Sequence, residues 1–464
     1  MKKFLVTVVF VSVTQGACTG IQGARGDDVP DTRHIVAGPR ELLRLYQIGE
    51  SQLDLFVDGE PLETDGLATL MRLLYRVPAF PLHKIHQWQQ WEPNWQDLLN
   101  RPRQYRGAFV QLMGKTTHVE RIQAPRRFVQ RFGFDHYYRL EFSSAEPAPA
   151  AIVYSRTIPS TWANRLDNAK SAKLMLVERG SLSGMFLQVG ALQDGNATVV
   201  LVTNAVAWHP DAVDLAAGIT TDHVALANYG MDVAQFSAVE DRKPLTAHDR
   251  ECFYQLLHTM PKLPHDFLAK QAVAQPDVTA LLQDPQVHRG RLYSLVGTAR
   301  RAIQIKVDDR DIVMRFGIRH YYEVEIFTDT AMTVRFVDAQ GGEDKVFHRY
   351  PVVVCLRTLP AWMPVGEKIH KNVRVTGFFL KHWTYRSPYM SAAAPSMADG
   401  PDRLQLSPLL IGLELEPFEF EGTSDRVWGR VFSGIFVMLL IGIALYVWWM
   451  ERGDREFRRR RGFN

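Results

Sequence analysis

Two segments carry the side chains best suited to chemistry, and they are near copies of each other. Arg131-Phe132-Gly133 with His136-Tyr137-Tyr138 returns as Arg315-Phe316-Gly317 with His320-Tyr321-Tyr322. A histidine among phenols can exchange a proton, and a nearby arginine can hold an anion. The same residue types also build strands, where rings pair across neighbours and Arg or His caps an edge. Recurrence favours this second reading, because an element needed to build a domain is kept in each duplicate. Arg131, His136, Tyr137, Tyr138, Arg315, His320, Tyr321 and Tyr322 are therefore expected to be structural, as are Arg156 and Arg357.

The run Lys381-His382-Trp383-Thr384-Tyr385-Arg386 differs, since the first copy has Gln188-Val189-Gly190 at the matching place. Cations interleaved with aromatics on a barrel rim can bind glycans, peptides or single-stranded nucleic acid. Lys381, His382, Trp383, Tyr385 and Arg386 thus form the candidate interaction surface, belonging to the second copy alone.

No residue earns a catalytic, cofactor or metal role. Gly180-Ser181-Leu182-Ser183-Gly184 fails the nucleophile-elbow pattern, because Leu182 holds the central position. His83 and His86 could share one helix face, but no third ligand is near in sequence. No phosphate loop, dinucleotide fingerprint or zinc-protease motif occurs. Cys18, Cys252 and Cys355 are too few for a disulfide framework. Cys252 and Cys355 read as buried free thiols, with a disulfide between them as the alternative.

A duplicated frame must position these segments. Pro61-Leu62 recurs as Pro244-Leu245, Leu73-Leu74 as Leu256-Leu257, Pro78 as Pro261 and Arg106-Gly107 as Arg289-Gly290. All four hold one register, and further matches follow to Gly377-Phe378-Phe379-Leu380. Each copy opens with a helical pattern. Leu67, Leu70, Met71 and Leu74 make one apolar face, and Phe253, Leu256 and Leu257 make the other, with Thr246 as its expected cap. Strand patterns follow, among them Tyr322 to Phe327 alternating with period two, Thr333 to Phe336, Val352 to Leu356 and Val373 to Phe379. Extra residues around Gly341-Gly342 predict a hairpin. Five or six short strands predict a small closed barrel, OB-like, with a sandwich as competitor. Gly114, Gly297, Gly184 and Gly377 suit its corners.

Both ends carry topology signals. Met1-Lys2-Lys3, the apolar run Phe4 to Val13 and the small residues to Ala17 predict a signal peptide, which leaves lipidation of Cys18 open. Val431 to Met450 is uncharged and long enough to span a bilayer, and the arginine-rich tail after it predicts a cytoplasmic end. The expected order is signal peptide 1–17, linker 18–39, repeat 1 at 40–210, repeat 2 at 211–425, transmembrane helix 431–450 and basic tail 451–464. Ser387 to Asp402 reads as a loop. Part of the net charge of +4 sits in the tail, so the remainder is near neutral and gives no reason to expect nucleic acid.

Taken together, the Pro-Leu helix openings, Arg106 and Arg289, the Tyr321-Tyr322-Glu323 strand, residues 373–381 and the Leu-rich strand 406–415 resemble uncharacterised membrane proteins of planctomycete-type bacteria. That resemblance implies no activity. The expected fold is α+β: two tandem repeats, each a helical segment followed by an OB-like barrel, plus one membrane helix. The expected function is a non-enzymatic envelope protein that binds a protein or polymer partner, without cofactor and without nucleic acid. An extracytoplasmic small-molecule or glycan binder comes second, and an enzyme of unfamiliar type third.

Overall fold

The computed structural model describes residues 36–62, 64–193, 196–336, 345–386, 404–419, 433–446 and 448. The expected signal peptide, the Gly341-Gly342 hairpin tip, the 387–402 loop and the basic tail lie outside them. The described residues up to Glu416 form one compact unit, and those from Pro417 onward belong to another.

The fold is α+β with two six-stranded sheets. The first comprises β1 (Phe109–Gln123), β2 (His136–Ser144), β3 (Ala150–Ser155), β4 (Lys173–Gln193), β5 (Asn196–Thr203) and β6 (Ala207–Trp208). The second comprises β7 (Val273–Ala274), β8 (Leu292–Lys306), β9 (His320–Phe336), β10 (Lys345–Leu356), β11 (Lys371–Arg386) and β12 (Leu404–Pro417). In the first, the order β1-β2-β3-β5-β4 closes on itself through β1–β4 pairing, and β6 adds to β4. In the second, β8-β9-β10-β12-β11 closes in the same way through β11–β8. The β3–β5 and β10–β12 pairs are parallel. Each sheet is an OB-like barrel.

Alternation along the strands fills two layers per barrel. Val110, Leu112, Leu140, Phe142, Val153 and Leu201 belong to the first interior, and Leu295, Val324, Ile326, Val354 and Leu410 to the second. Burying each such side chain contributes about 1.5–3 kcal/mol. The opposite strand faces are apolar too, because helices cover them. Leu70, Met71 and Leu74 of the Thr64–Arg76 helix share a cluster with Phe109, Met185 and Val202. Phe253, Leu256 and Leu257 of the Arg250–Thr259 helix join Val353, Phe378 and Ile411. At the barrel corners, a Cβ on Gly114 or Gly297 would collide with the carbonyl oxygen of Ser143 or Phe327.

The recurring Arg-Gly pair has a structural cause. Arg106 donates to Asp58 Oδ2 at 2.7 Å, and Asp58 Oδ1 accepts from the Val189 N–H at 2.9 Å. Arg289 donates to Asp241 Oδ2 at 2.5 Å, and Asp241 Oδ1 accepts from His382 N–H at 2.9 Å. The Gly107 and Gly290 N–H groups each donate at 2.8 Å, to the carbonyls of Phe186 and Phe379. In each case the clamp ties the loop before a helix, Thr64–Arg76 or Arg250–Thr259, to the barrel's long strand.

Two local expectations change. Asp249, not Thr246, occupies the N-cap of the Arg250–Thr259 helix, and the Thr246 N–H and hydroxyl both donate to its carboxylate. The strands expected at 322–327 and 333–336 are one, β9, paired with β10 as far as Phe336 and Lys345. Residues 433–446 of the apolar run are helical and exposed. Among the described residues no helix is long and apolar enough to cross a membrane.

Candidate functional site

The expected surface on β11 is largely interior. Lys381 and His382 are fully buried. The Lys381 ammonium donates to Asp249 Oδ2 at 2.8 Å and to the Pro244 carbonyl at 3.2 Å, which pins β11 to a helix N-terminus. His382 Nε2 donates to the Leu281 carbonyl at 2.6 Å, and burial holds the ring's pKa below its usual value. These two residues therefore leave the surface proposed from sequence, because strand and helix cover both faces of β11 there. Trp383 is half-buried and stacks on Tyr385, with centroids 4.7 Å apart and planes 18° apart. The Arg386 side chain lies outside the described residues.

The repeated segments occupy strand starts and the helices before them. His136 reaches Asp135 through Nδ1 at 2.6 Å and the Tyr138 hydroxyl through Nε2 at 3.2 Å. His320 meets Tyr322 edge-on, and Tyr322 accepts from the Gln304 amide. Tyr137 packs near Tyr154, and burial pushes its hydroxyl up to about 12. Tyr321 lies against Phe253 and Tyr254. Arg131 covers the Phe132 ring, while Arg315 covers Phe316 and pairs with Glu251 and Asp311.

His83 stands 3.8 Å from Asp311, and His86 packs edge-on against Trp91. Cys252 and Cys355 are buried free thiols, both held well above the usual thiol range by burial. Among the described residues no group of three or more His, Cys, Asp or Glu is placed to hold a metal ion. Ser181 donates to His209 Nε2 at 2.8 Å, and His209 Nδ1 donates to the Met231 carbonyl at 2.9 Å. That pair fastens β4 to the segment following β6.

The constellation with the most unusual chemistry is one that sequence reasoning passed over. On the outer face of the second barrel, Arg301 of β8 lies opposite Glu325 of β9, and Arg301 Nη1 donates to Glu323 at 2.9 Å. Its Nε donates to Glu367 at 2.6 Å. The Tyr385 hydroxyl donates to Glu325 Oε1 at 2.5 Å. Glu325 is 1% exposed, and its Oε2 is buried without a hydrogen-bond partner. Burial raises the pKa of both Glu323 and Glu325, against the pull of Arg301 on the first and of Tyr385 and Arg301 on the second. Perturbed acids gathered on one face mark a functional-site candidate. Period-two alternation over 322–327 suggested a half-buried strand, but here the polar side is covered as well.

The matching face of the first barrel carries other groups. Glu141 accepts from Arg139 at 2.8 Å, with Lys173 at 3.6 Å and His118 Nδ1 at 3.0 Å. Burial pushes the Glu141 carboxyl up, yet Arg139 and Lys173 outweigh it and leave the pKa lowered. Glu141 also borders a small cleft of about 110 Å³ with Thr117, Ser143 and Thr198.

No family model matches the chain, and no curated protein matches it. Among solved structures it is similar to a small single-stranded DNA-binding protein from Streptomyces coelicolor, at 14% identity and a TM-score of 0.16, covering 28% of this chain and 96% of that one. It is similar also to a single-stranded DNA-binding protein from Thermus aquaticus, at 9% identity and a TM-score of 0.13, covering 69% and 99%. These findings correct the expectation of no nucleic-acid partner. That exclusion rested on charge and address, while the solved proteins found similar are DNA-binding ones. At such TM-scores the likeness carries no argument toward a ligand either.

Proposed function

We propose that this chain is a membrane-anchored, non-enzymatic binding protein whose OB-like barrels are tandem copies of one module. One observation carries the reading. The frame is alike in both halves, down to the Arg–Asp clamp, while the matching outer faces differ: His118, Arg139 and Glu141 against Arg301, Glu323 and Glu325. A kept frame with a changed face is what a binding module needs when one copy specialises. Two modules on one anchor also favour bivalent contact through effective concentration. The anchor rests on the uncharged 431–450 run, whose described residues are helical with exposed apolar side chains. The signal-like start and basic tail support an extracytoplasmic reading, with the barrels facing an envelope protein or polymer. The stacked Trp383 and Tyr385 favour a second reading, a glycan or small-molecule binder.

Cross-linking mass spectrometry on intact cells tests this. The expected result is a reproducible set of cross-links from the second barrel to one envelope protein. Good coverage without any protein cross-link would sink the scaffold reading and leave the glycan or small-ligand one.

A further inference from the structure

Glu325 has hydrogen-bonding capacity that the fold leaves unused. A carboxylate offers about four lone-pair sites, and here Oε1 takes the Tyr385 hydroxyl while buried Oε2 takes nothing. Leaving a buried acceptor unsatisfied is costly, and more so when it is charged. Arg301 does not relieve it, because its guanidinium donates to Glu323 and Glu367. Three carboxyl groups therefore face one guanidinium. The half-buried Trp383 ring lies flat on Tyr385, whose hydroxyl meets Glu325, and aromatic faces attract cations.

The geometry also selects among cations. A guanidinium binds a carboxylate as a two-point fork across both oxygens, and here it would share Oε1 with the Tyr385 hydroxyl. A quaternary ammonium carries no N–H for Oε2. A primary ammonium is compact and brings donors that need only one free oxygen. We propose that Glu325, Tyr385 and Trp383 form a binding site for a primary alkylammonium group, supplied by a free amine or by a lysine side chain of a partner. Oε2 is covered, so the ammonium is admitted only as a neighbouring side chain turns aside.

The groups facing Glu325 are Arg301 from β8, Glu323 from β9, Tyr385 from β11 and Glu367, with Cys355 of β10 beside Glu323. Burial favours the neutral acid, whereas a bound cation favours the carboxylate, so affinity rises with pH through the Glu325 titration.

The inference rests on the binding reading above, and one experiment separates their failures. Calorimetric titration of the full chain in detergent with butylammonium chloride is expected to give saturable binding. Affinity falls about tenfold or more in Glu325→Gln, which keeps an acceptor for Tyr385, and falls comparably for tetramethylammonium chloride. Trp383→Leu, which spares every acidic group, weakens binding several-fold and serves should Glu325→Gln fold poorly. An acetylated tripeptide with a central lysine binds more tightly than butylammonium if a protein supplies the group, and more weakly if a free amine does. No saturable butylammonium binding, or equal binding by wild type and both variants, or by tetramethylammonium, overturns the proposal. A partner cross-linked through this face despite that result would leave the binding reading standing.

Discussion

The Lys381 ammonium and the Asp249 carboxylate meet at 2.8 Å with neither side chain exposed. Removing two charges from water costs several kcal/mol per ion, so such a pair survives only when its remaining donors and acceptors are used. Asp249 meets that condition, accepting also from the N–H groups of Glu240 and Thr246 and from the Thr246 hydroxyl. Burial pushes its carboxyl up, but Lys381 and these donors outweigh it and hold the pKa below the usual value. Lys381→Ala strands the charge, and the expected loss is about 3–5 kcal/mol in chemical denaturation of the full chain. A loss below about 1 kcal/mol would mean that water reaches the pair. Nothing near Lys381 in sequence announced this role, because its counter-charge comes from a helix start far along the chain. Read locally, a lysine among aromatics belongs on a rim. Glu325 was hidden for the opposite reason: alternation suggests solvent on one face, and only the tertiary fold shows both faces covered.

At the scale of elements, Arg-Phe-Gly before His-Tyr-Tyr is a helix stop joined to a strand start. The helices Arg126–Phe132 and Arg310–Phe316 end on Gly133 and Gly317, whose φ values are 73° and 66°. An L-residue strains there, and a Cβ on Gly133 would meet no atom within 4 Å, so conformation is the whole cost. Gly133→Ala and Gly317→Ala should each lower stability by about 1 kcal/mol, with asparagine costing less at either site. Equal stability for alanine and glycine would show that the helix ends relax. The opening helices, most strands and the clamp residues were legible because each repeats a local pattern twice. Continuity of β9 was not. Thr328-Asp329-Thr330 breaks the apolar pattern like a turn, and the pairing runs on because residues 330–333 of β9 are taken up opposite the single residue His348 of β10.

The recurring motifs say how each barrel is built but not how the two barrels meet. Trp208, Ile219, Leu226, Met231, Val233 and Phe236 share one cluster with the first barrel's interior and with Phe253 and Leu256 of the second half. Burial of the segment between the barrels cannot be read locally, since its partners lie on both sides of it. Asp232 stands inside this junction, accepting from the N–H groups of Trp208 and Ala234 and from the Gln235 amide, while its own N–H donates to Gln255. Burial, aided by Glu251, holds its carboxyl at about 6 rather than the ordinary 3.8, against the pull of those donors. A folded value above the unfolded one gives stability that is complete below pH 3.8 and lost as pH rises through about 6. That interval is worth about 3 kcal/mol, at about 1.4 kcal/mol per pH unit. Asp232→Asn keeps an oxygen for the Trp208 and Ala234 N–H groups and abolishes the titration. Unfolding free energies measured from about pH 4 to about pH 7 should therefore shift in the variant's favour by up to about 3 kcal/mol. A constant difference across that range would place Asp232 in contact with water and the junction open around it.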